Sequence, residues 1–140
     1  MSGQRFEDRL LIRELYGRFA TAVARRDGTE WLECWATDAM WKTPHFEVTG
    51  RSALEQMWGA TWNDFESVTV FNEVGAIAFS GEGASTLSNV FEVIALKAGG
   101  TAKMTGLYTD TFVHERGAWR FSYRGYESIA REASPSAQAS

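Results

Sequence analysis

At Ser67 the spacing of apolar residues changes from near four to two. Val68, Val70, Asn72, Val74, Ala76 and Ala78 alternate with the residues between them, the period of a strand with one buried face. Three turn signals then divide the rest of the chain: Ser80-Gly81-Glu82-Gly83, Lys97-Ala98-Gly99-Gly100 and Glu115-Arg116-Gly117. They predict four long strands, over 67–78, 85–96, 101–114 and 118–129, joined as an antiparallel meander.

Ahead of the switch the period is helical. Phe6, Leu10, Leu11, Leu15, Phe19, Ala22 and Val23 recur at steps of three and four, which predicts an amphipathic helix over 6–26. Glu7 and Asp8 in its first turn, and Arg25 and Arg26 in its last, suit the helix dipole. Asp27-Gly28 breaks it. Asp27 with Glu30 reads as a capping box for a second helix over 29–36, with Trp31, Leu32 and Trp35 on its buried side. A short strand over 39–43 ends at Pro44, which has no amide hydrogen for a ladder. The stretch 44–50 reads as a loop. Ser52 with Glu55 opens a third helix over 52–63, with Leu54, Met57, Trp58 and Trp62 on one face.

Helices first and a long antiparallel sheet second is an α+β order. The 140 residues suit one domain, expected over 1–130, with the small and polar stretch 131–140 as a mobile tail. A long sheet of four or five strands twists and curls, and its concave face needs filling. Three helices can close most of that face and leave a cavity. The expected architecture is a cone-shaped α+β barrel, its three N-terminal helices packed on a curved antiparallel sheet with the first across the concave side. Nine Phe, six Trp and four Tyr suit an apolar ligand cavity, or they fill the core.

Charge and composition exclude several classes. A net charge of −4 leaves no basic field for a phosphate backbone, so nucleic acid is not an expected partner. Cys34 is alone and cannot form an intrachain disulfide, which fits a reducing compartment. The first eight residues hold no apolar signal core, and no run approaches the ~18 apolar residues of a membrane span. A soluble, cytoplasmic protein with no membrane partner is the expectation. His45 and His114 are far apart in sequence, with no Cys or acidic cluster beside them, so no metal site is expected. No phosphate loop, Ser-His-Asp order or nucleophile elbow is present.

Several residues could carry chemistry. In a regular third long strand Met104, Gly106, Tyr108, Asp110 and Phe112 share one face. A carboxylate among Met, Tyr and Phe is desolvated and can serve as acid or base; Asp110 can equally be the ion-pair partner of Arg124. Tyr108 can donate to a developing oxyanion or pack in the core, and Tyr16 on the first helix has the same two readings. His45, after Pro44, stands where a cavity mouth would lie, as a titrating group or a solvated loop residue. Asn72 and Asn89 interrupt apolar strands, and each needs partners from a pocket or from backbone. Trp41 offers a flat face and one hydrogen bond, or core packing. Cys34, between Glu33 and Trp35, reads as core rather than nucleophile.

The order of elements and several local motifs resemble the SnoaL-like group of the nuclear-transport-factor-2-like superfamily. Leu15-Tyr16-Gly17-Arg18-Phe19-Ala20 with Arg26-Asp27 is similar to its first-helix signature, and Thr37-Asp38-Ala39-Met40-Trp41 to the start of its first strand. Gly50-Arg51-Ser52-Ala53-Leu54 resembles the start of its third helix. The stretch from Gly106 to Phe112, then Gly117-Ala118-Trp119-Arg120-Phe121 and Arg124, resembles its closing hairpin. The likeness covers 6–129. It implies a hydrophobic pocket that moves a proton on a small cyclic substrate without a cofactor, in a lyase, isomerase or cyclase. It also implies assembly as a homodimer or homotrimer through the sheet, whose convex side would carry Val74, Val90 and Ile94. The alternative within the same fold is a non-catalytic binding or assembly module, similar to a dioxygenase β subunit. The Asp-His dyad of the dehydratase and dehydrochlorinase members falls here on Ala24 and near Val70, and the isomerase tyrosine and base on Phe19 and near Thr43. Two family positions survive: Asp110, as the acidic residue of isomerase and cyclases, and Arg124, as a pocket arginine.

Overall fold

The computed structural model describes residues 2–135. Helix α1 (Ser2–Arg25) places Ile12, Leu15, Tyr16, Phe19, Ala22 and Val23 on its buried side; the predicted stripe holds from Leu15 on, but Phe6, Leu10 and Leu11 are exposed, and Ile12 and Tyr16 take the inward positions. It ends where Arg26 turns left-handed at φ 55° and the Asp27 amide donates back to the Ala22 carbonyl at 2.8 Å. Asp27 then caps α2 (Gly28–Glu33) by accepting from the Glu30 amide at 3.1 Å. Glu30 does not return the bond as a capping box would; its carboxylate accepts from Arg18 at 2.7 Å. Helix α2 is shorter than predicted because Trp35 already pairs with Phe121, so β1 (Trp35–Lys42) starts there.

The predicted loop contains a short strand. Thr43 Oγ1 accepts from the amides of His45 and Phe46, and this turn pairs β2 (Glu47–Thr49) with β1. Helix α3 (Arg51–Asp64) is capped not by Ser52, which lies inside it, but by Gly50 at φ 92°, a conformation glycine adopts without a Cβ penalty. Leu54 and Trp62 are its buried residues.

The four predicted strands form, with one break. The first divides into β3 (Phe65–Val74) and β4 (Ala78–Ser80). Then come β5 (Gly83–Leu96), β6 (Thr101–Glu115) and β7 (Ala118–Ser134). The strand order is β2-β1-β7-β6-β5-β3, with β4 beside β5. The meander is antiparallel, but β1 joins β7 in parallel, so the curved sheet is mixed and unclosed. Residues 131–134 of the expected tail are strand, with Ser134 opposite Thr101; residues 136–140 lie outside those described.

The sheet's inner face and the three helices enclose one aromatic core. Phe19, Trp31, Trp35 and Phe121 meet there at ring distances of 5.5–6.0 Å. Val90 and Ile94 belong to it, each 3% exposed, and Val74 packs against it. The apolar residues on the outer face are instead Phe71, Leu87 and Phe91, with Phe71 stacked on Phe91 at 6.2 Å. No helix among the described residues is long and apolar enough to cross a membrane.

Candidate functional site

The inner face of the sheet carries the polar side chains as well. On β6, Met104, Gly106, Tyr108, Asp110 and Phe112 point inward, as a strand period of two requires. Asp110 stands opposite Arg124 of β7, and both are 0% exposed. Arg124 donates through Nε to Oδ1 at 2.9 Å and through Nη2 to Oδ2 at 3.2 Å. Tyr16 of α1 donates its hydroxyl to the same Oδ2, and Ser88 reaches it at 3.5 Å. The guanidinium also lies over the Tyr108 ring at 3.9 Å and near Phe121 at 4.4 Å. Burial pulls the Arg124 pKa down, but the Asp110 carboxylate beside it outweighs this and the net shift is upward, so the charge is held. Burial, then the Asp110 charge, raise the Tyr16 pKa, so its hydroxyl remains a donor.

Between this network, α2, α3 and the Thr43–Phe46 turn lies a cavity of about 300 Å³. Trp31, Trp41, Trp58 and Trp62 form much of its wall, with Trp31 and Trp58 4.8 Å apart. Tyr108 and Arg124 border it, and the Tyr108 hydroxyl accepts from Trp41 Nε1 at 3.3 Å. His45 is exposed at its rim.

The structure therefore brings Tyr108, Trp41, His45 and Arg124 to one cavity. It does not bring Asp110 or Tyr16 there: neither borders the cavity, and Tyr16 binds the carboxylate that in turn holds Arg124. Of the two roles that the sequence left open for Asp110, the geometry is that of the ion pair. Asn89 points to the outer face and is exposed. Asn72 points inward but does not border the cavity, and both polar atoms of its amide are buried without a partner.

Three titratable cavity residues escape the sequence reading: Glu92, Tyr126 and Arg131, the last in the stretch expected to be a tail. Glu92 follows Val90 on the inner face of β5, and Tyr126 of β7 lies opposite Tyr108. The signal for Glu92 was a carboxylate in register with Val90 and Ile94. Tyr126 is admitted by Gly106, where any Cβ would collide with its ring. Among the described residues no three of His, Cys, Asp and Glu cluster as a metal would need. Cys34 is buried, which pushes its thiol pKa up to about 12.

A curved sheet closed by three helices around an apolar cavity defines the cone-shaped α+β class. Within that class the chain belongs to the SnoaL-like domain family, whose model matches residues 4–125. No curated protein matches it. Among solved structures it is similar to a scytalone dehydratase-like protein of Novosphingobium aromaticivorans, at 19% identity over 94% of this chain and 91% of that one, with a TM-score of 0.88. It is also similar to a type 2 hexachlorocyclohexane dehydrochlorinase, at 16% identity over 96% and 93% of the two chains, with a TM-score of 0.87. A type 3 dehydrochlorinase from Novosphingobium barchaimii gives 16% identity over 96% and 94%, with a TM-score of 0.85. At these identities the likeness is one of fold.

Proposed function

We propose that the cavity takes a small hydrophobic ring compound and moves a proton on it without a cofactor, as a lyase, isomerase or cyclase does. The observation that carries this reading is Arg124. It is a buried cation beside an apolar cavity, held by Asp110 through two nitrogens, with its third, Nη1, left without a partner. Fixed positive charge in a water-poor site favours a ligand oxygen that gains negative charge as a proton leaves carbon. Flat indole walls suit a planar ring. Structural neighbours named as a dehydratase and dehydrochlorinases support the lyase form of the reading.

The second reading is a binding module of the same fold. It is favoured by the dyad positions, which fall on Ala24 and near Val70, and by the seclusion of Asp110 from the cavity. A panel of bicyclic ketones and phenols separates the two. Thermal shift identifies the compounds that bind, and NMR in D2O follows loss of their carbon-bound protons. Binding with accelerated exchange supports the enzyme. Binding with exchange only at the buffer rate, across every binder, supports the module.

A further inference from the structure

Besides Arg124, five titratable side chains border the cavity: His45, Glu92, Tyr108, Tyr126 and Arg131. Tyr108 is engaged by Trp41 and His45 is exposed at the rim. Glu92 is different. It sits on the inner face of a central strand, between Val90 and Ile94, each 3% exposed. Its neighbours across the sheet, Val70 and Met104, are themselves cavity residues. None of the salt bridges among the described residues includes it. A half-buried carboxylate on an apolar face with no partner costs folding free energy, so packing gives no reason for it.

Of three unmatched donors on cavity residues, Trp62 Nε1 is on α3 and two are on β7. Arg124 Nη1 is buried with no hydrogen-bond partner, and the buried Tyr126 hydroxyl, though beside Ser128, donates to no acceptor. The Tyr126 ring lies across Gly106, and Gly106 pairs with Val90, one inward position from Glu92. Buried donors are nearly always satisfied in folded proteins. An oxygen on a ligand would satisfy the two on β7, with the adjoining carbon toward Glu92.

We propose that Glu92 is the general base of this cavity, and that its substrates are ring compounds with a carbonyl next to the carbon that loses the proton. This rests on the reading of the cavity as a proton-transfer site. The Glu92 carboxylate takes the proton from the α carbon. The C–H electron pair becomes the carbon–carbon double bond of an enolate, and the carbonyl π pair moves onto oxygen, beside Arg124 and Tyr126. Glu92, now a neutral acid, returns the proton to the same or a conjugated carbon and the carbonyl re-forms, so nothing else is consumed. The surroundings suit the role. Burial raises the Glu92 pKa, which makes it a stronger base than a solvated carboxylate, while the Arg124 charge pulls the other way and favours the ionised form.

The test uses 2-tetralone in D2O, with binding read from line broadening and exchange from the decay of its α-proton signals. The wild type is expected to exchange it faster than buffer. Glu92→Gln should lower the enzymatic rate by about 10²–10⁴-fold, with a melting temperature no lower than the parent's, and Glu92→Asp should keep part of the rate. The wild-type rate should rise with pH through an inflection above the ordinary glutamate value of 4.5. Undiminished exchange in Glu92→Gln overturns the proposal. So does an inflection near the ordinary histidine value of ~6.5 that survives in that variant. A wild type that binds the ketone without exchanging it overturns the role of Glu92 and leaves the binding module standing. A chain that neither binds nor exchanges it overturns both readings.

Discussion

Replacing Asp110 by Asn tests the buried network that holds Arg124. The amide is nearly isosteric and removes only the charge. Asp110 now accepts from Nε and Nη2 of Arg124, from Tyr16 and, at 3.5 Å, from Ser88. The variant keeps one carbonyl oxygen for these donors and leaves the guanidinium uncompensated, with both residues 0% exposed. Breaking a buried pair from one side costs about 3–5 kcal/mol. For a chain of this length that is a drop in melting temperature of about 10–15 °C. Urea unfolding should show a lower midpoint with an unchanged slope, the sign of lost stability rather than an altered unfolded state. Adding Arg124→Met should recover most of the loss, since apolar replacement of a whole buried pair is often neutral or better. An Asp110→Asn variant within ~1 kcal/mol of the parent would place the pair with solvent-exposed bridges, and the case for a held, charged Arg124 would collapse.

Three further outcomes are expected. Glu92 has a raised folded pKa, so the native state binds more protons than the unfolded chain between the two values, and its effect on stability worsens as pH rises through that window; the thermal advantage of Glu92→Gln should therefore grow as pH rises from 4.5, and an advantage that shrinks would contradict the burial of the carboxylate. We expect the outer face to join copies of the chain as a dimer or trimer, because Phe71, Leu87 and Ile129 are 57%, 52% and 65% exposed and Phe71 stacks on Phe91; light scattering should exceed the single-chain 15.6 kDa and fall to it in Phe91→Lys. With its pKa pushed up to about 12 by burial, Cys34 should react with an aromatic disulfide reagent only on the timescale of unfolding; rapid labelling of the native chain would count against its placement in the core.

Most of the fold was legible because its signals are local. Alternation over ten or more residues, cut by glycine turns, identifies β5, β6 and β7 without any knowledge of what they pack on. Most of what failed was non-local. The Gly75 amide still donates to the Leu87 carbonyl, but β3 pairs with β5 only as far as Val74, while the sequence pattern runs on to Ala78. Nothing near Trp35 announces that it will pair in parallel with Phe121. The cap was a local miss: the helix starts at Arg51, directly after Gly50 at φ 92°, so Ser52, two residues past that cap, lies inside it. In the site, strand parity placed Asp110 and Arg124 inward. Parity also placed Glu92 inward, but it sits in an apolar run where a lone charge is easily read as surface. The seclusion of Asp110 follows from Tyr16 and Arg124 converging on it, which no single strand encodes.

The parallel join of β1 to β7 has a consequence for how the molecule assembles. Tyr16 and Asp110, whose hydrogen bond braces the site, are 94 residues apart in the chain, and Trp41 stands beside Arg124 only through that same join. Hairpins such as β5–β6 close over short loops, whereas contacts of long sequence separation carry the larger entropic cost and form slowly. The contacts that close the cavity wall are therefore expected to form late in folding. A ligand lodged there ties the N-terminal third of the chain to the last strand, and it should slow unfolding more than it speeds folding.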